Sequence, residues 1–330
     1  MNMRPRRPGR RVLLVLATSA LMLGAAGTGA AGLGAVGMGA ASGQPSASST
    51  ASTGLSARTV GRVGAAAAAC KTHASSLRPS GPPQVTSGSY MAKIRTRGYL
   101  IAGVDQSTYH FGFLNPLNNQ IEGFDIDMIR AVAQAIFGNP DKVVYKAISD
   151  EQRIPDVLSG TVDIVAHTMT ITCARLQQVD FSSVYFDAAQ RVLVLKNSPV
   201  RSLSGLSGQK VCATTGSDSL AVIAAHKAVP VAVPYWTDCL VLLQQGDVAA
   251  ISTDDSILAG LAAQDPWTKQ VGPALTDEPY GLAISKQHPD FVRFVNAVLV
   301  QLRSDGQWAA SYAHWVGTPV PAPPAAQYAG

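Results

Sequence analysis

The chain has 330 residues, 47% of them hydrophobic and 14% charged, with a formal net charge of +5. Five arginines (Arg4, Arg6, Arg7, Arg10 and Arg11) lie in its first few residues, so the remainder is near neutral and lacks the basic footprint of a nucleic-acid-binding protein. No cysteine pair has metal-ligand spacing and the histidines do not cluster near the cysteines, which leaves no zinc site and no other metal or cofactor expected.

The arginine-rich start runs into an apolar stretch, residues 12–23, that dissolves into glycine and alanine. This is the layout of a secretory signal, and the run is shorter than the ~20 residues that a spanning helix needs. Residues 1–40 are therefore assigned to a signal-peptide region and 41–88 to a flexible tether rich in Gly, Ala, Ser and Pro. The protein is expected outside the membrane, either released or retained at the cell surface.

From residue 89 short apolar runs alternate with amphipathic stretches, the pattern of an α/β fold with buried strands. Strands are expected at 99–104, 143–148, 162–166, 191–195, 210–213, 231–234, 248–252 and 280–285. Two helices follow the 3.6-residue repeat: one buries Ile126, Ile129, Ala133 and Ile136, the other Phe291, Phe294, Val295, Val298 and Leu302. Asp125 is placed as the cap of the first and Gly138 as its stop. Beyond residue 316 a Pro/Ala-rich tail, 317–330, should be loose. The four cysteines, Cys70, Cys173, Cys212 and Cys239, suit an oxidising compartment and allow three pairings.

Several segments, taken in order, carry a resemblance: IEGFDIDM from Ile121, RIPDVLSGTVDIVAHTMTITCAR from Arg153, VDFSSVYF from Val179, LSGLSGQKVCATTGSDS from Leu203 and STDDSILAG from Ser252. Together the chain resembles the family 3 extracellular solute-binding proteins, closest to the glutamate/aspartate-binding branch of actinobacterial type, over roughly residues 90–316. The resemblance implies a two-lobed periplasmic-binding-protein-like (type II) fold with two interlobe crossovers. Lobe one would comprise 89–189 and 279–316, and lobe two 190–278.

A strand ending in hydroxyls followed by an arginine offers donors for a carboxylate, and the planar fork of Arg175 can grip both oxygens. By resemblance Arg175 binds a ligand α-carboxylate, with Thr168 and Thr170 adding hydroxyl and backbone contacts. Ser217, in a strand-to-helix turn of lobe two, is the expected hydroxyl on the far side, although the neighbouring Asp218 brings an unexpected negative charge. Asp254, at a strand end, is expected to take the ligand's ammonium, with Asp255 as the competing carboxylate. Arg153 matches an arginine that acidic-amino-acid binders use near the distal carboxylate, which points to glutamate or aspartate. Tyr109 and Phe111 are candidates for the apolar wall. Asp105 and Trp236 depart from relatives that carry a basic residue and a histidine there.

Cys212 lies on a lobe-two strand and Cys239 opens a helix after the next strand; similar proteins have cysteines at both positions, which pairs these two. The segment CKTHASSLRP resembles the extension of actinobacterial relatives, which implies Cys70 with Cys173. The expected function is capture of a small polar, acidic amino acid by a monomer that delivers it to an ABC permease in the membrane. No cofactor and no nucleic acid are expected, and the sequence carries no nucleophile elbow or P-loop. The rival readings are a ligand sensor for a membrane signalling partner and a cyclohexadienyl dehydratase-like enzyme.

Overall fold

The computed structural model describes residues 70–329. The signal-peptide assignment and the first part of the expected tether lie outside the described residues. The chain builds two five-stranded mixed sheets, each the centre of its own lobe, and crosses between them twice.

In lobe one Leu100–Val104 pairs in parallel with Val143–Ala147 and Ile164–Ala166, and Ala283–Ile284 then joins Asp180–Phe181 in antiparallel fashion. In lobe two Lys210–Thr214 pairs in parallel with Val229–Val233 and Ala250–Asp254, and Gln190–Leu195 and Thr268–Val271 add antiparallel strands. Both sheets thus present the carboxyl ends of their parallel strands, where α/β sheets collect ligands. The crossings are Phe186–Ala188 outward and Glu278–Tyr280 back, paired antiparallel as a two-stranded hinge. The strands expected from apolar runs are present within a few residues of their predicted ends. The 280–285 run is instead split, its first residue in the hinge and its end in the lobe-one sheet.

Two helices carry lobe one's core. Phe124–Phe137 buries Ile126, Ile129, Ala133 and Ile136, and Pro289–Ser304 buries Phe291, Phe294, Val295, Val298 and Leu302, as their spacing requires. Gly138 ends the first in the left-handed region, at φ 72°. Its start differs from expectation. Gly123 is the cap, at φ 138° and so close to Phe111 that a β-carbon would stand 2.1 Å from the Phe111 carbonyl oxygen. Asp125 therefore sits inside the first turn and is buried, bonded to Thr168 and Tyr185 rather than capping the helix.

Residues 70–88, expected within the tether, are held on lobe one. Asn296 is completely buried: its amide donates to Ser76 Oγ (2.7 Å) and the Leu77 carbonyl (2.6 Å), while its oxygen accepts from Ser183 N (2.6 Å). The tail expected to be loose returns to the same place, with a bridge between Ser76 and Tyr328, and Arg78 stacks on the Tyr328 ring. A polar composition did not prevent ordering because buried side chains of lobe one supply the partners. Both disulfides form as paired from the sequence: Cys212–Cys239 with Cα atoms 5.5 Å apart, and Cys70–Cys173 at 5.9 Å.

Candidate functional site

The strand ends of the two lobes meet across a cleft lined by buried ionisable groups. On lobe one, Thr168 follows the Ile164–Ala166 strand with a positive φ of 42°, a conformation a β-branched residue adopts only when held. Asp125 holds it: one carboxylate oxygen accepts from Thr168 N (2.8 Å), the other from Tyr185 Oη (2.6 Å). Burial raises the Asp125 carboxyl to about 6 despite these bonds. The Thr168 hydroxyl is buried with no protein partner among the described residues.

The chain then runs along the returning hinge strand. Thr170 bridges Tyr280, and Ile171 N donates to the Pro279 carbonyl at 2.7 Å. Thr172 caps the short Cys173–Leu176 helix by accepting from Arg175 N, and Cys173 anchors that helix to the extension through Cys70. Arg175 is nearly buried. It donates to the Thr170 carbonyl (2.7 Å) and reaches lobe two, where it meets the Gly216 carbonyl (3.4 Å) and Asp218 Oδ2 (3.5 Å).

On lobe two, Asp254 ends the Ala250–Asp254 strand with 4% exposure. Tyr280 Oη donates to it at 2.6 Å, and Ser256 Oγ, at 2.7 Å, supplies that tyrosine with a proton in turn. No cationic side chain among the described residues pairs with Asp254 at salt-bridge distance, Arg175 being bound instead to Asp218. Burial raises the Asp254 carboxyl well above the ordinary range, and the charges of Glu278 and Asp218 push the same way, with Tyr280 and Arg175 opposing. Asp255 faces elsewhere: its carboxylate accepts from Ala189 N (3.2 Å) and braces the outward crossing.

Arg153 is buried but already occupied. Its Nη1 meets Asp150 Oδ1 at 2.7 Å, and its other N–H groups reach the carbonyls of Asp150, His167 and, on lobe two, Gly216. The guanidinium expected near a distal carboxylate is thus paired with Asp150 in this structure. Ser217 donates to the Thr214 carbonyl at 2.7 Å, closing the turn that Gly216 makes at φ 84°. The helix beyond, Ser219–Ala225, is short, and Asp218 at its start answers Arg175.

The two wall candidates separate. Phe111 is 1% exposed and packs edge-on against Phe124, Phe186 and Tyr280, so it is core behind Tyr280 and no wall. Tyr109 is partly exposed, stacked edge-on with His110 and Phe113. Asp105 closes a turn by accepting from Gln106 N, Ser107 N and the hydroxyls of Ser107 and Thr108.

Sequence reasoning missed Asp150, His167, Glu278 and Tyr280. His167 donates through Nε2 to the Ile148 carbonyl (2.9 Å) and turns its buried Nδ1 toward Asp150 Oδ1, 3.5 Å away, with no hydrogen-bond partner among the described residues. The indole N–H of Trp236, buried and without a partner among the described residues, lines the same small interlobe crevice as Asp150 and His167. A larger cavity of about 680 Å³, on the outer face of lobe one, shares no residue with this cleft.

Comparison with known proteins shows the family and the fold. Residues 100–318 match the model of the bacterial extracellular solute-binding proteins, family 3. The ABC transporter glutamine-binding protein of Bacillus subtilis is 36% identical over 229 residues, covering 68% of this chain and 84% of that protein. The glutamate/aspartate import solute-binding protein of Salmonella typhimurium is 26% identical over 251 residues, covering 71% and 82%. Among solved structures, an ancestral arginine-binding protein bound to glutamine superposes with a TM-score of 0.63 at 34% identity, covering 67% of this chain and 99% of that one.

Proposed function

The chain belongs to the bacterial extracellular solute-binding proteins of family 3, and from that premise we propose that it closes its two lobes on one zwitterionic amino acid with an uncharged polar side chain, glutamine foremost, for delivery to an ABC permease. The observation that carries this reading is the presence of two buried groups of opposite charge type on different lobes, Arg175 in the short Cys173–Leu176 helix and Asp254 at a strand end. Arg175 stands on lobe one and Asp254 on lobe two, and neither neutralises the other. An amino acid joins them, its carboxylate on Arg175 with Thr168 and Thr170, its ammonium on Asp254 beside Glu278. Because the ligand connects groups on different lobes, its binding energy favours the closed arrangement.

Charge decides the side chain. Asp150 and Arg153 cancel, and Asp218 answers Arg175, so the remaining buried carboxylates, Asp254 and Glu278, outnumber the arginines. A second anionic group on the ligand would enter a cleft already negative, whereas a carboxamide adds no charge. The glutamine named for the Bacillus subtilis protein and bound to the ancestral protein supports the same choice. An acidic ligand is the second reading, favoured by the presence of the Arg153 guanidinium in the cleft and by the Salmonella typhimurium relative. It requires that ligand to compete with Asp150.

Calorimetric titration with the twenty amino acids tests the proposal. The expected result is L-glutamine bound at about micromolar or tighter, roughly −8 kcal/mol, with L-glutamate and L-aspartate weaker. Binding of acidic amino acids alone would overturn the side-chain assignment and leave the clamp. A transport role predicts permease and ATPase genes beside this one, where a sensor role does not. Turnover of prephenate or arogenate would contradict the binding-only reading.

A further inference from the structure

We propose that Asp150 is the specificity-determining residue of the cleft: its carboxylate occupies the Arg153 guanidinium in place of an acidic ligand side chain, and so turns the protein against glutamate and aspartate. This inference rests on the reading of the cleft as an amino-acid site, and it assigns selectivity to one residue there.

The geometry fits an internal counter-ion. Arg153 is 3% exposed and Asp150 7%; Arg153 opens the Arg153–Leu158 helix and Asp150 lies in the loop just before it, where lobe one meets lobe two. A guanidinium has five N–H donors. Here Nε is spent on the Asp150 carbonyl (2.9 Å), Nη1 on the Asp150 carboxylate (2.7 Å) and the His167 carbonyl (3.2 Å), and Nη2 on the Gly216 carbonyl (3.3 Å). One N–H is left, too few for the two-point grip that makes arginine selective for a carboxylate. An acidic side chain would have to break the Asp150 pair and leave that carboxylate buried without its cation, a costly exchange.

Asp150 is also secured from both lobes. Thr214, at the end of a lobe-two strand, donates its hydroxyl to Asp150 Oδ2, and His167 Nδ1 lies 3.5 Å from Oδ1. Burial works against the charge, but Arg153, His167 and Thr214 outweigh it and hold the carboxyl below its ordinary range. The group is therefore ionised throughout the neutral range. The buried Trp236 N–H, left without a partner nearby among the described residues, offers a donor for the oxygen of a neutral carboxamide.

The test is the ratio of the L-glutamate to L-glutamine dissociation constants, measured by calorimetry on the full secreted protein and on Asp150→Asn, Asp150→Ser and Thr214→Val. In the Asp150 variants the ratio should fall at least 100-fold in favour of glutamate. Thr214→Val, which removes an interlobe hydrogen bond and keeps the charge, should weaken both ligands equally. An unchanged ratio in the Asp150 variants, or an equal shift in Thr214→Val, overturns the proposal. So does loss of the native melting transition in both Asp150 variants while Thr214→Val melts normally, since Asp150 would then serve folding. The wild-type ratio alone tests the preference for glutamine, so a wild type that prefers glutamate would refute that reading independently of the change on substitution.

Discussion

Gly260 of lobe two lies against Tyr109 of lobe one so closely that a β-carbon at Gly260 would stand 2.5 Å from the Tyr109 carbonyl oxygen. Gly260 is inside the Asp255–Gln264 helix, where alanine is ordinarily better than glycine by about 1 kcal/mol. Gly260→Ala should therefore leave lobe two as stable as before, or slightly more so, while obstructing closure. The expected outcome is an unchanged or raised melting temperature with ligand affinity at least tenfold weaker, a loss of about 1.4 kcal/mol. Unchanged affinity would mean that the two lobes need not approach this closely to hold ligand.

Removing either end of the charge pair should be felt in binding and little in folding. Arg175→Ala and Asp254→Ala are each expected to weaken ligand binding by about 2–5 kcal/mol, because truncation leaves a desolvated ligand charge unpaired. Asp255→Ala, which removes only the brace on Ala189, should retain most affinity. Titration calorimetry on variants with native melting curves checks all three.

Binding should also move protons. The Asp254 carboxyl is raised by burial first, then by the Glu278 and Asp218 charges, so in the unliganded protein it gains a proton at a pH above the usual carboxylate range. A ligand ammonium favours the ionised form. Binding therefore releases protons as the pH falls toward that raised value, and affinity declines below it. Calorimetry in buffers of different ionisation enthalpy reads the release directly, and Asp254→Asn should abolish it.

Stability has its own pH signature at Asp125. Its folded value of about 6 lies above the ordinary 3.8. A raised carboxyl favours the folded state most below the unfolded value, and that contribution is lost as pH rises through the folded one. From about pH 4 to 6 this group alone should remove roughly 3 kcal/mol, at 1.36 kcal/mol per unit. Asp125→Asn should flatten that part of the stability–pH curve.

The Cys212–Cys239 bridge ties a lobe-two strand to the Trp236–Gln245 helix across a sequence separation of 27. Closing such a loop stabilises by about 3.6 kcal/mol in the chain-entropy model. The Cys212→Ala/Cys239→Ala double variant should lose up to that amount in denaturant unfolding, with ligand affinity retained wherever the protein is folded.

Much of the scaffold was legible because its signals are local. The β-branched runs of both sheets and the 3.6-residue spacing of Phe291, Phe294, Val295, Val298 and Leu302 declare strands and helix by themselves. The Gly112–Asn115 and Gln120–Glu122 hairpin was not, since its short strands mix polar and apolar residues without a period. Asp125 stands where a cap would stand, and only the close approach of Gly123 to Phe111, made by the tertiary fold, moves the cap back two residues. The site divides in the same way. Arg175 and Asp254 sit in recognisable segments, whereas Asp150 belongs to the polar run SDEQ, which reads as solvated. It is buried by contact with Thr214, 64 residues along the chain. Tyr280 reaches Asp254 from the returning crossover, and no local pattern announces that meeting.

If both charges of a zwitterion are held at once, blocking each charge in turn must weaken binding. Calorimetric titration of the protein with L-glutamine, N-acetyl-L-glutamine and L-glutaminamide separates the two ends of the ligand. L-glutamine is expected to bind, and each blocked form, lacking the ammonium for Asp254 or the carboxylate for Arg175, to bind at least 100-fold more weakly, about 2.7 kcal/mol. Blocked forms that bind as tightly as L-glutamine would contradict the holding of both charges.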